Sequence, residues 1–307
     1  MKNRYMTALT LAAAAFGLLV VTISPVDAQL AGGGRNAKGA KGKGNFKGRG
    51  RGGPQGGPIE RIGTVEIDQP NFGGPGTWGV PYITNMSNSI TAGGMENCEE
   101  FPGSDPDSLT ESCAPFTPKG REVFAARRKT DSATDPEGYC LPPGVPRMMY
   151  TPYPMKMIQE PDMITFIFEG GTHIWRQVPV GPRGFLRHEE DPNPTYLGHS
   201  IGWWEGDTLV VDTTGFNDRT WLDFAGHPHG EQLHVTERFT RVDSLTLRHE
   251  ATIDDPEFYT QPWTVTININ FRPGQELFEY ICQENERDSR HQEEHLRKLG
   301  IDPDKIP

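Results

Sequence analysis

Two histidine–carboxylate pairings are the residues of this chain best suited to proton transfer. Segment 233–253 reads as a hairpin with the three-residue loop Val242-Asp243-Ser244. That register sets Phe239 against Leu247 and Val235 against Ala251, and it places Glu237 opposite His249 on the apolar face. A two-residue loop would set the same apolar residues against Arg248, Glu250 and Thr252, so it is rejected. Segment 199–213, turning at Glu205-Gly206, likewise faces His199 with Asp212. A buried carboxylate beside an imidazole shifts both acidities and fixes the ring tautomer, which suits acid–base chemistry. The plainer reading of each pair is a satisfied core contact.

Ligand-facing candidates surround these pairs. A hairpin over 163–178, turned by Gly170-Gly171, sets Phe166 against Trp175 and Phe168 against His173. Trp203 and Tyr280 fall on the same inner side, Tyr280 opposite Ile267. His227 and His229 flank Pro228 in a loop with Glu231 close by. They either face a ligand at a barrel mouth or hold a metal, but their spacing fits no metal-ligand signature, so metal and cofactor stay unassigned. Gly198-His199-Ser200-Ile201-Gly202 matches the nucleophile-elbow pattern, yet it runs into a strand where that motif needs a strand-to-helix turn, so it reads as accidental. The methionines between Met148 and Met163 read as packing rather than as copper ligands.

The elements that must position these residues are mostly strands. From residue 163 onward apolar residues alternate, and eight strands emerge in four hairpins: the three above, and Thr264–Phe271 with Glu276–Cys282 around Pro273-Gly274. The expected fold is mainly β: an eight-stranded antiparallel meander closing into a lipocalin-like barrel around one small ligand, with a sandwich as the alternative closure. Residues 284–299, stopped by Gly300, read as a polar C-terminal helix. Residues 59–150, rich in Pro, Gly, Ser and Asp, read as an irregular layer over the barrel domain of 151–307. One helix is expected there, with Thr117 as cap, Pro118 in its first turn and Val123-Phe124 on its apolar face. Four cysteines predict two structural bridges with three possible pairings; a local Cys98–Cys113 bridge is the natural one, and it would leave Cys140 to pin the chain to Cys282.

The N-terminal end bears on location. Residues 1–28 have the charged start, apolar run and small-residue end (Val26-Asp27-Ala28) of a cleavable signal peptide, which predicts a secreted or periplasmic protein with no stable membrane anchor. Residues 29–58 are Gly-rich and basic, too poor in apolar groups to fold, and suited to a linker or to contact with anionic envelope polymers. Nine of the 30 basic residues and one of the 41 acidic ones fall in residues 1–58, so the remainder carries a net charge of about −19. That charge excludes nucleic acid as the partner of the folded part.

The strings Cys140–Arg147, GHSIGWWEGDTLVVDTTGFNDRTWLD (198–223), GHPHGEQLHVTERFTR (226–241) and TIDDPEFYTQPWT (252–264) resemble an uncharacterised family of secreted bacterial proteins. The resemblance implies secretion and supports the domain boundary; it implies no activity. Two functions are therefore expected from the residues themselves. One is a binding protein for a small, largely apolar molecule inside the barrel. The other is an acid–base enzyme, metal-assisted or not, using the Glu237/His249 and His199/Asp212 pairs.

Overall fold

The computed structural model describes residues 56–62, 69–171, 174–190, 193–284 and 288–305. The expected signal peptide, all but the last three residues of the basic segment, and His173 lie outside the described residues.

In chain order the strands are β1 (Arg61–Ile62), β2 (Gln69–Pro70), β3 (Gly76–Gly79), β4 (Ile90–Ala92), β5 (Glu99–Pro102), β6 (Leu109–Ser112), β7 (Met155–Gln159), β8 (Met163–Phe168) and β9 (Trp175–Pro179). They continue with β10 (His199–Glu205), β11 (Thr208–Thr214), β12 (His234–Arg241), β13 (Thr246–Asp254) and β14 (Trp263–Pro273). Helix α1 spans Pro118–Arg128 and the C-terminal helix α2 spans Asp288–Lys298. Ten strands share one sheet, ordered β10-β11-β12-β13-β14-β3-β7-β8-β9, with β4 added beside β14. The sheet curls until its edges meet: Val180 bridges Gly202, and the Gly181 amide donates to the Gly202 carbonyl at 3.0 Å. The fold is thus mainly β, a nearly closed antiparallel barrel with a C-terminal helix.

Alternation explains the wall. Val235, Glu237 and Phe239 of β12, Leu247, His249 and Ala251 of β13, and Val265, Ile267 and Ile269 of β14 are buried, while the residues between them are at least partly exposed. Branched side chains suit this half-buried surface. The inward groups pack against one another, as Phe166 and Phe239 do at 5.3 Å between ring centroids, and Met155, Met157, Phe166 and Phe239 are all at most 1 % exposed. Side chains therefore fill the barrel along these strands.

Three hairpins form as elements, each with a changed register. Around 242–246 the partners are Arg241↔Leu247 and Phe239↔His249, two residues from the expected register, because the Arg241 guanidinium binds the carbonyls of Asp243 and Ser244 and widens the loop. A two-residue shift keeps every side chain on its expected face. In the first hairpin Phe166 pairs with Arg176, a one-residue slip that turns β9 over. In the second, Glu205 pairs with Thr208 around Gly206 (φ 58°), and His199 faces Thr214.

The fourth hairpin is corrected: Glu276–Cys282 is not a strand. Strand β14 instead pairs with β3 from the N-terminal layer, setting Phe271 against Trp78. Trp78 has the larger apolar surface to bury; it is 1 % exposed and donates its indole N–H to the Phe72 carbonyl at 2.8 Å, whereas Phe278 is 69 % exposed. Strands from both sides of residue 150 thus build one sheet, which raises the count from eight to ten.

The N-terminal layer follows its local signals. Thr117 caps α1 by accepting from the Gly120 amide at 3.1 Å, Pro118 opens the helix, and Phe124 is fully buried. Disulfides join Cys98 to Cys113 and Cys140 to Cys282, the second closing a separation of 142 residues. Among the described residues no helix is long and apolar enough to cross a membrane.

Candidate functional site

The barrel interior holds a charged chain of side chains. Glu237 Oε1 lies 3.0 Å from His249 Nε2, and its Oε2 lies 2.5 Å from Arg176 Nη1. Arg176 also donates from Nε to Ser200 Oγ at 3.0 Å and from Nη2 to Thr213 Oγ1 at 2.8 Å. The chain spans five strands, β9 to β13, and Glu237, His249 and Arg176 are 0–3 % exposed. Burial pushes the Glu237 carboxyl up, but Arg176 and His249 outweigh it and hold it below the ordinary carboxylate range. The slip in β9 supplies Arg176: Trp175, expected inside, is 64 % exposed, and its neighbour takes the inner position.

His199 and Asp212 are not partners, which corrects the second expected pair. Both lie on the outer face of their hairpin; the inner face carries Trp204, Leu209, Val211 and Thr213. His199 Nε2 is near the Asn193 carbonyl at 3.3 Å. Asp212 is held instead by His188 Nε2 at 2.9 Å and His234 Nε2 at 2.6 Å, with Thr236 donating at 3.1 Å. Burial raises the Asp212 carboxyl, the two imidazoles lower it further, and the net direction is down; the same contact raises His234. Trp203 is also outside, with its N–H on Glu205 at 3.0 Å and Arg183 over its ring at 5.7 Å.

His227 and His229 face protein rather than ligand. His229 is buried against Thr220 Oγ1 at 2.6 Å, and burial pushes it down to about 4. His227 stands between Asp223 Oδ2, 2.7 Å from Nδ1, and Ser112 Oγ, 2.8 Å from Nε2. Asp223 is oriented by the amides of Met86, Gly226 and His227, and despite the cost of burial it is held low by His227. The connectivity is that of a hydroxyl–imidazole–carboxylate relay. Yet all three residues are at most 1 % exposed, and Phe116 and Phe124 cover the imidazole at 5.6 and 4.5 Å between ring centroids. The relay acts as a clip fastening the β5–β6 hairpin to the 220–230 loop. Among the described residues, one group of three metal-ligand side chains converges, Cys98, Glu111 and Cys113, and its two cysteines are spent in a disulfide.

An accessible cleft lies elsewhere. A cleft of about 740 Å³ opens between residues 135–153 and the described residues of 280–284 and 288–292, and none of its described lining residues belongs to a strand. Its floor is Arg147, 4 % exposed, whose guanidinium meets Asp135 through two hydrogen bonds of 2.8 and 2.6 Å and Glu137 at 2.8 Å. A 3-10 turn at Pro136–Tyr139, capped by Asp135 on the Glu137 amide, places both carboxylates. Burial raises the Glu137 carboxyl above its usual range, more than Arg147 lowers it. One wall is Tyr153 and Tyr280, ring centroids 4.8 Å apart at 45°; Tyr82 adds a third ring at the rim, and the Cys140–Cys282 disulfide ties the two segments together. Burial and the contact with Tyr280 raise the Tyr153 hydroxyl. Of the expected ligand-facing residues that are described, Tyr280 alone lines this cleft. No protein-family model, curated protein or solved structure matches the chain.

Proposed function

We propose that this is a secreted or periplasmic binding protein for a small molecule, and that its ligand occupies the Tyr153–Tyr280 cleft rather than the barrel interior. The observation that carries the reading is the cleft itself. At about 740 Å³ it has the size of a small-molecule site, with aromatic walls and a few fixed polar groups on a rigid support. The barrel supplies that support. The polar groups that would serve an enzyme, Glu237 with His249 and Ser112 with His227, are sealed from solvent, which favours a carrier over an acid–base enzyme.

The location rests on the signal-peptide pattern of residues 1–28, on the resemblance to secreted bacterial proteins, and on two disulfides, which persist in oxidising compartments. In this reading the basic segment 29–58 tethers the protein to anionic envelope polymers. A thermal-shift screen of amines, sugars, organic acids and fatty acids tests the proposal. Compounds that raise Tm for the wild type and lose that effect in Tyr280→Ala support it. Compounds whose effect survives Tyr280→Ala but disappears in variants of the barrel interior overturn it.

A further inference from the structure

We infer that the ligand of this cleft is an organic ammonium ion; the inference rests on the cleft being the binding site. Four carboxylates line the described part of the cleft against one guanidinium, Arg147; Asp135 and Glu137 are bound to that guanidinium, and Glu284 and Asp288 lie outside the cluster. That guanidinium is already engaged by Asp135 and Glu137, so it has little to offer an anionic ligand. Excess negative charge in a concave site concentrates cations and repels anions.

The rings point the same way. The face of an aromatic ring is the negative end of its quadrupole, and ammonium groups, quaternary ones above all, bind over such faces. Tyr153 and Tyr280 meet at 45° and form a corner of two rings, with Tyr82, 56 % exposed, at the entrance. Carboxylates beside an aromatic corner are the combination that selects a cation with apolar substituents over a bare metal ion.

Isothermal titration of the full chain with choline chloride and with spermidine tests this, with glucose, sodium acetate and sodium decanoate as comparison probes. Choline or spermidine binds, and each of Tyr82→Ala, Tyr280→Ala and Asp288→Asn weakens the binding by about three- to tenfold. Tyr82 and Asp288 are exposed, so their variants fold whether or not the inference holds. Two results overturn it: binding of glucose, acetate or decanoate that is weakened by these substitutions while both amines fail, or amine binding that all three variants leave unchanged. The first leaves the cleft standing as a binding site and changes only its ligand. Failure of every compound in the broader screen to depend on Tyr280 removes the site and the inference together.

Discussion

Glu237 and His249 share a 3.0 Å hydrogen bond although they are not cross-strand partners: Glu237 pairs with Ala251 and His249 with Phe239. The contact runs diagonally across two adjacent strands and is completed from a third by Arg176. Its position decides its role. A charged chain in the packed interior holds strands β9 to β13 in one arrangement, at a large desolvation cost that only mutual pairing offsets.

Removing one member should expose that cost. Glu237→Gln leaves Arg176 charged and unpaired, and is expected to lower stability by about 3–5 kcal/mol in urea denaturation. The double variant Arg176→Met/Glu237→Leu should recover most of the loss. Because the Glu237 carboxyl lies below its unfolded value, its contribution is present above the unfolded pKa and fades as pH falls through the folded one. An unchanged urea midpoint in Glu237→Gln would show that the chain is not coupled to folding.

His229 titrates in the opposite chemical sense with the same outcome. Its imidazole is pushed from 6.5 down to about 4 by burial, so the folded state resists protonation. The stability it confers is complete above pH 6.5 and is lost as pH falls from 6.5 to about 4, a loss of roughly 3 kcal/mol. Urea midpoints measured at pH 7 and pH 4.5 should therefore drop further for the wild type than for His229→Gln. Equal drops would contradict the assignment.

The Ser112–His227–Asp223 relay is expected to be chemically silent. A fluorophosphonate probe should fail to label Ser112 in the folded protein, because the hydroxyl is fully enclosed. Ser112→Ala, by leaving buried His227 Nε2 without its partner, should cost about 1–3 kcal/mol of stability. Stoichiometric labelling under native conditions would show instead that the covering aromatic layer opens and that the relay is catalytic.

How much of this was legible in the sequence depended on which faces were apolar. In β12 and β13 one face is apolar and the other carries Thr, Arg and Glu, so the inner face was readable even though the loop moved the register by two. The 199–213 hairpin offers Ile201, Trp203 and Val210 on one side and Trp204, Leu209 and Val211 on the other. Alternation cannot choose between two apolar faces. The outer one is covered by a polar loop, with Arg183 over Trp203 and His188 on Asp212, and that cover is a tertiary event. In β9 a slip of one residue sufficed to exchange Trp175 for Arg176.

The candidate site was less legible still. Ser112 and His227 are 115 residues apart with no local motif joining them. The cleft draws on the separate stretches around Tyr82, Asp135–Arg147, Tyr153 and Tyr280–Gln292. A Cys140–Cys282 bridge, one of three pairings the sequence left open, was the one signal that those stretches could meet, since a disulfide brings its flanks within a few ångströms.

Hydrogen exchange on the full chain, with and without the strongest Tyr280-dependent stabiliser, tests the central claim most directly. Slowed exchange is expected over 135–153 and 280–292, with the amides of β12 and β13 unchanged. Protection centred instead on Glu237 and His249, with the cleft segments unaffected, would place the ligand inside the barrel and contradict it.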